Sequence, residues 1–203
     1  MSALDVALAT GAPETDAQAE GIGRRIRRLR HGRGLTLVQL ADLADLSHPF
    51  LSQLERGLAR PSISSLEKIA RALGSSQVEL LAGAEPASDA PAAPVAVVRA
   101  DEGTRGHYAE GEARMLVQGA ARRFHPMEVT GANTAHGDAF LHAEDEFLHV
   151  VDGRIEIDLG VEGRHELGPG DSIYYAGGTP HRWRAVDGGA YRLLVVKESP
   201  TRR

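Results

Sequence analysis

From Gly21 to about Gly83 the apolar positions recur with helical spacing. Ile22, Ile26 and Leu29 fall at i, i+4, i+7 on one face, and arginines take the rest of the helix. Leu37, Leu40, Ala41 and Ala44 repeat the same period, and Thr36 with Gln39 forms a capping box ahead of them. Ser47 caps a third short helix that runs to Arg56, with Pro49 in its permissive first turn and Gly57 as its stop. Ser64 with Glu67 opens a fourth, striped by Leu66, Ile69, Ala70 and Leu73 and closed by Gly74. Ser76 with Glu79 starts a last turn or two. The pattern predicts five short helices.

After the Ala/Pro-rich stretch over 84–94 the period changes to two. Short β-rich runs follow at Val95–Arg99, Arg114–Gln118, Glu128–Thr130, Phe147–Val151, Arg154–Leu159, Ser172–Tyr175, His181–Val186 and Tyr191–Lys197. Gly-containing turns such as Asp152-Gly153 and Asp187-Gly188-Gly189 separate many of them, which indicates a sandwich or small barrel. The expected layout is a tail over 1–20, an all-α five-helix bundle over 21–83, a linker over 84–95, an all-β domain over 96–198 and a short tail over 199–203.

Charge alters this picture. The net charge of −5 argues against a nucleic-acid partner until it is divided by region. Residues 21–83 hold ten Lys/Arg against five Asp/Glu, whereas 84–203 hold thirteen against nineteen. Arg24, Arg25, Arg27, Arg28, Arg30 and Arg33 lie within ten residues. Such asymmetry suggests that one part meets a polyanion, although a solvated helix face is the commoner fate of an arginine run. No apolar run reaches the roughly 18 residues of a membrane span, and nothing at the start reads as a secretory signal, so a cytoplasmic protein is expected. The chain has no cysteine, so disulfides, thiolate zinc sites and thiol catalysis are excluded.

The helices Leu37–Ala44 and His48–Arg56, joined by a tight turn, have helix-turn-helix proportions. The string LTLVQLADLADLSHPFLSQLERGLARPSISSLEKIARALG (Leu35–Gly74) resembles the xenobiotic-response-element family of bacterial and phage repressors. That resemblance implies a double-stranded DNA operator as partner. It puts His48, Ser52 and Gln53 where recognition-helix residues reach base edges, Gln53 towards adenine and His48 towards a guanine acceptor. It puts Thr36, Ser47, Arg56 and Ser62 where phosphates are gripped. Thr36 and Ser47 serve as helix caps whether or not DNA is bound. A two-fold operator implies a homodimer.

In the β-rich part, His142 and Glu146 precede and open one predicted strand, and His181 opens another. Two histidines and a carboxylate converging there would make a facial triad for a divalent metal: Fe, Mn, Ni or Zn. The strings HAEDEFLHVVDGRIEI (His142–Ile157) and LGPGDSIYYAGGTPHRWRA (Leu167–Ala185) resemble the two cupin motifs, which implies a jelly-roll barrel. Phe140 stands at the family's first histidine position, so the resemblance leaves a three-ligand set and no fourth ligand. Phe140 and Trp183 are the expected pocket walls.

Together these readings point to a transcriptional regulator, not an enzyme, whose cupin domain senses a small-molecule effector or a metal. Two alternatives stay open. The string H-A-x-x-E-F-L and the two-domain layout also resemble the mononuclear iron cupin enzymes that include hydroxypropylphosphonate epoxidase. A cupin that serves only for dimerisation is the other.

Overall fold

The computed structural model describes residues 14–82, 94–117 and 122–199. The expected C-terminal tail from 200 onward, most of the linker and the first thirteen residues lie outside the described residues.

Five helices come first: α1 (Glu14–Gly32), α2 (Leu37–Leu43), α3 (His48–Glu55), α4 (Ile63–Ala72) and α5 (Gln77–Ala82). Helix α1 begins ahead of the expected Gly21, because Ala19 extends the stripe of Ile22, Ile26 and Leu29 by one turn and is itself buried. Both bonds of the α2 capping box form: Gln39 N–H donates to Thr36 Oγ1 at 3.2 Å, and Thr36 N–H donates to Gln39 Oε1 at 2.8 Å. Ser47 caps α3 as expected. The α4 cap is Ser62, not Ser64, and its Oγ accepts from Ser65 N–H at 3.1 Å. Moving the cap two residues back puts Ile63 at the first helical position, where it is exposed. The core of this module is Ile26, Leu40, Leu51, Leu54, Ile69 and their neighbours.

The second part is antiparallel β. One sheet has six strands, in the order β1 (Arg105–Tyr108), β2 (Gly111–Met115), β3 (Phe124–Gly131), β9 (Tyr191–Glu198), β4 (Glu146–Asp152), β7 (Ser172–Tyr175). The other has three, β6 (Arg164–Leu167), β5 (Ile155–Asp158) and β8 (Arg182–Ala185). Alternate side chains of both sheets meet in a single core that includes Met127, Leu148, Ile157, Trp183 and Val195. The expected strand Val95–Arg99 does not form, and β1 and β6 were not anticipated. Apolar alternation alone does not supply the 95–99 segment with a ladder partner. The sequences RGHY and RHEL lack apolar alternation because both strands lie at sheet edges and three of the four residues of β6 are exposed.

The two parts share packing. Val78 and Ala82 of α5 belong to the β core, while Leu80 of the same helix belongs to the helical core. A polar layer lies alongside. Lys197 Nζ donates to Gly74 O at 3.1 Å and to Glu79 Oε2 at 3.3 Å, and both side chains are nearly buried.

Candidate metal centre and DNA-reading face

Glu146 is the first residue of β4, and its side chain points into the core with 1% exposure. Its neighbours across the sheet are Tyr175 on β7 and Lys197 on β9. His142 lies in the segment leading into β4. His181 lies just ahead of β8 and is held by a backbone bridge to Phe140, with bonds of 2.8 and 3.0 Å. The structure brings the three predicted ligands together: all are buried, and their donor atoms lie within 4.8 Å of one another.

Both imidazoles are set in the ligating tautomer. His142 Nδ1 lies 3.0 Å from Glu144 O, and His181 Nδ1 lies 3.0 Å from Thr179 O. A carbonyl can only accept, so each Nδ1 carries the proton and each Nε2 presents a lone pair. Among the described residues, both Nε2 atoms are buried without a hydrogen-bond partner. His142 Nε2 does lie 3.2 Å from Glu146 Oε2, but not in hydrogen-bonding geometry.

Protonation states agree with this. Burial raises the Glu146 carboxyl, but contact with His142 and His181 and the charge of Lys197 outweigh it and hold the pKa at about 2. Burial lowers His181, which keeps it neutral. Tyr108 OH donates to Glu146 Oε2 at 3.0 Å, and Tyr175 OH donates to Glu146 Oε1. Burial and then the Glu146 charge push both phenols well above their ordinary value, so they remain donors. Two imidazoles with free Nε2 lone pairs and an ionised carboxylate are the forms that a divalent cation requires. Two orphaned buried nitrogens and one oxygen fit Fe(II), Mn(II), Ni(II) or Zn(II) with coordination positions left open.

Phe140 and Trp183 flank the trio unequally. The Phe140 ring stacks on His181 at 6.0 Å and on Tyr108 at 5.9 Å. Trp183 stacks on Tyr108 at 6.0 Å, and its Nε1–H donates to Tyr191 OH in the core at 3.0 Å. The two tyrosines on Glu146 were missed by sequence reasoning. The only signal for Tyr175 was its strand, and without a register its side chain could not be assigned to a face.

On the helical module, His48, Gln53, Thr36, Ser47, Arg56 and Ser62 are all exposed, and Ser52 is half-buried. Thr36, Ser47 and Ser62 are the N-caps of α2, α3 and α4, so their side-chain oxygens already accept backbone N–H groups. Arg56 Nε donates to Ser52 O at 3.2 Å. The arginine run divides. Arg24, Arg27 and Arg28 face outward. Arg30 turns inward and grips Glu55 with bonds of 2.6 and 2.8 Å, Arg33 grips Glu144, and Arg25 is 5% exposed.

Residues 22–82 match the family model for a helix-turn-helix domain, and residues 127–197 match that for a cupin domain. Over 60 residues, 30% of this chain, the sequence is 40% identical to the HTH-type transcriptional regulator y4dJ of Sinorhizobium fredii, of which it covers 78%. The chain belongs to the helix-turn-helix transcriptional regulators. This regulator is 26% identical over 181 residues to the HTH-type transcriptional regulator PuuR of Escherichia coli K12, covering 88% of itself and 95% of PuuR. It is 47% identical over 64 residues, 32% of its own length, to the immunity repressor of Bacillus phage phi105, and spans 44% of that protein. An HTH_3 family transcriptional regulator from Vibrio cholerae has the same fold, with a TM-score of 0.53 at 24% identity over 92% of this chain and 99% of that one. Hydroxypropylphosphonic acid epoxidase from S. wedmorenis superposes at 0.44 with 25% identity, over 88% and 97% of the two chains, which decides nothing about chemistry. Membership of the family makes the protein a DNA-binding transcriptional regulator. Among the described residues no helix is long and apolar enough to cross a membrane.

Proposed function

We propose that this regulator is a cytoplasmic homodimer that reads a two-fold operator and answers to a divalent cation or small effector in its cupin domain. The observation that carries the reading is the trio itself. His142 and His181 present unpartnered Nε2 atoms towards the Glu146 carboxylate inside a buried site. Leaving such atoms unmatched costs free energy, and a bound cation would recover it.

In this reading the two sheets close the jelly-roll barrel of a cupin, and His142, Glu146 and His181 hold the cation. A bound cation supplies positive charge and open coordination positions for an anionic or hydroxylated effector. Tyr108 and Tyr175 orient the Glu146 carboxylate, and Phe140 offers an apolar wall to the effector. Gln53 and His48 read base edges, helped by Ser52, while Thr36, Ser47, Arg56 and Ser62 hold phosphates through caps and side chains. The protein is a regulator and not an enzyme. Relatives named as regulators along nearly the whole chain support this, and the immunity repressor of phage phi105 favours repression.

Native mass spectrometry of the purified full-length protein tests the assembly and the site together. The expected spectrum is a two-chain mass carrying one cation per chain, which His181→Ala removes. A metal-free monomer, unchanged after incubation with Fe(II), Mn(II), Ni(II) and Zn(II), would overturn the reading.

A further inference from the structure

The segment carrying His142 is clamped from the helical module. Glu144, two residues past His142, receives both arms of Arg33: Nη1 to Oε1 at 2.7 Å and Nη2 to Oε2 at 2.9 Å. Arg33 Nε donates to Leu73 O at 3.0 Å. One guanidinium therefore joins the end of α1, the end of α4 and the ligand segment. The Glu144 side chain is 5% exposed. Its backbone oxygen accepts the His142 Nδ1 proton, and its Oε2 lies 3.7 Å from the same nitrogen. A second contact lies beside the first. A Cβ on Gly74, which follows α4 with a φ of +57°, would sit 2.6 Å from Leu141 O and 3.1 Å from His142 Cβ. The helical module therefore presses its own backbone against the ligand segment.

The geometry points to Arg33, a residue of the DNA-binding module, as a positioning residue for the metal site: it holds Glu144, whose carbonyl orients the His142 ring. The imidazole is aimed by the bond its far nitrogen makes, and such partners tune the affinity of the ligand they aim. Without Arg33 the Glu144 carboxylate is buried and unpaired, and it relaxes towards water, carrying its own carbonyl away from Nδ1. Only a planar fork spans both carboxylate oxygens and the Leu73 carbonyl at once, so lysine does not substitute. The same α1 grips α3 through Arg30 and Glu55. Through Arg33 and Arg30 the end of α1 touches both the ligand segment and α3.

This inference rests on the trio holding a divalent cation, and the test separates the two. Co(II) is titrated calorimetrically into full-length wild type, Arg33→Gln, Glu144→Gln, the double variant, and Arg154→Gln, which removes an exposed arginine paired with exposed Glu166. Arg33→Gln and Glu144→Gln are each expected to weaken Co(II) binding about 10- to 100-fold. The double variant is expected to be no worse than either single one, the mark of one shared interaction, and Arg154→Gln is expected to match wild type. A loss of folding stability alone would leave Co(II) affinity of the folded protein unchanged. If Arg33→Gln does not fold, Glu144→Gln, which keeps the side-chain volume and the Arg33–Leu73 bond, decides the question. Wild-type protein that takes up no Co(II) overturns the metal reading and this inference with it. Wild-type protein that binds Co(II) no better than the Arg33 and Glu144 variants overturns this inference alone.

Discussion

Replacing Glu55 by alanine tests whether the inward-facing arginines hold the reading head together. Glu55 ends α3 and accepts two hydrogen bonds from Arg30 on α1, at 2.6 and 2.8 Å. The two side chains are 9% and 6% exposed, so the carboxylate is the local counter-charge of a nearly dry guanidinium. Arg30 would keep its bond from Nη1 to Leu35 O at 2.9 Å and its contact from Nη2 to His31 Nε2 at 3.3 Å, and lose the two to Glu55. Removing one partner of a buried pair costs about 3–5 kcal/mol, and the remaining Leu35 bond favours the lower figure. For a chain of this size each kcal/mol moves the midpoint by about 2–4 °C, so a loss of about 3 kcal/mol lowers Tm by roughly 6–12 °C. Circular dichroism melts of the full-length protein would read this. Two controls sharpen it. Asp45→Asn breaks the exposed pair with Lys68 and is expected to melt with wild type. Arg30→Met with Glu55→Leu leaves no buried charge and is expected to recover most of the loss. A Glu55→Ala midpoint within about 2 °C of wild type, as for a surface pair, would refute the reasoning. So would a double variant as unstable as the single one.

Other predictions follow from the same geometry. Gln53→Ala should leave the melt unchanged and reduce discrimination at one operator position by about 1–3 kcal/mol, read by competition between operator variants. Substituting Arg27 or Arg28, which face outward, should lower the salt slope of DNA binding by about one each. Buried Glu79 is raised by desolvation but held below its ordinary value by Lys197 and Arg25. Its contribution is therefore fully present above about pH 4.5 and is lost as the pH falls further, so Glu79→Gln should flatten the acid limb of a Tm-against-pH curve.

Local signals were readable in the sequence and remote ones were not. The stripes of α1 to α4 and the caps Thr36 and Ser47 depend on residues within one or two turns, and the chain states them directly. The spacing of Ser64 and Glu67 predicts a cap at Ser64, but Ser62 also precedes the stripe, and only the backbone distinguishes them. The arginine run misled in part. Whether Arg30 or Arg33 faces solvent depends on Glu55 and Glu144, which lie 25 and 111 residues away. The trio His142, Glu146 and His181 was legible from spacing, because the carboxylate lies close behind one histidine and a strand opens at the other. Tyr108, Tyr175 and Lys197 around Glu146 were not, because their arrival depends on sheet order and register. The inter-module clamp was equally hidden. It joins residues whose only sequence mark is their charge.

In the proposed function, occupancy of the His142, Glu146 and His181 site sets DNA affinity. Fluorescence anisotropy with DNA from upstream of the regulator's own operon, at fixed salt and with Co(II) present or absent, measures it directly. Co(II) is expected to move the wild-type midpoint at least about fivefold and to leave the His181→Ala midpoint in place. Identical wild-type curves with and without Co(II), at a concentration that saturates the site, would contradict it.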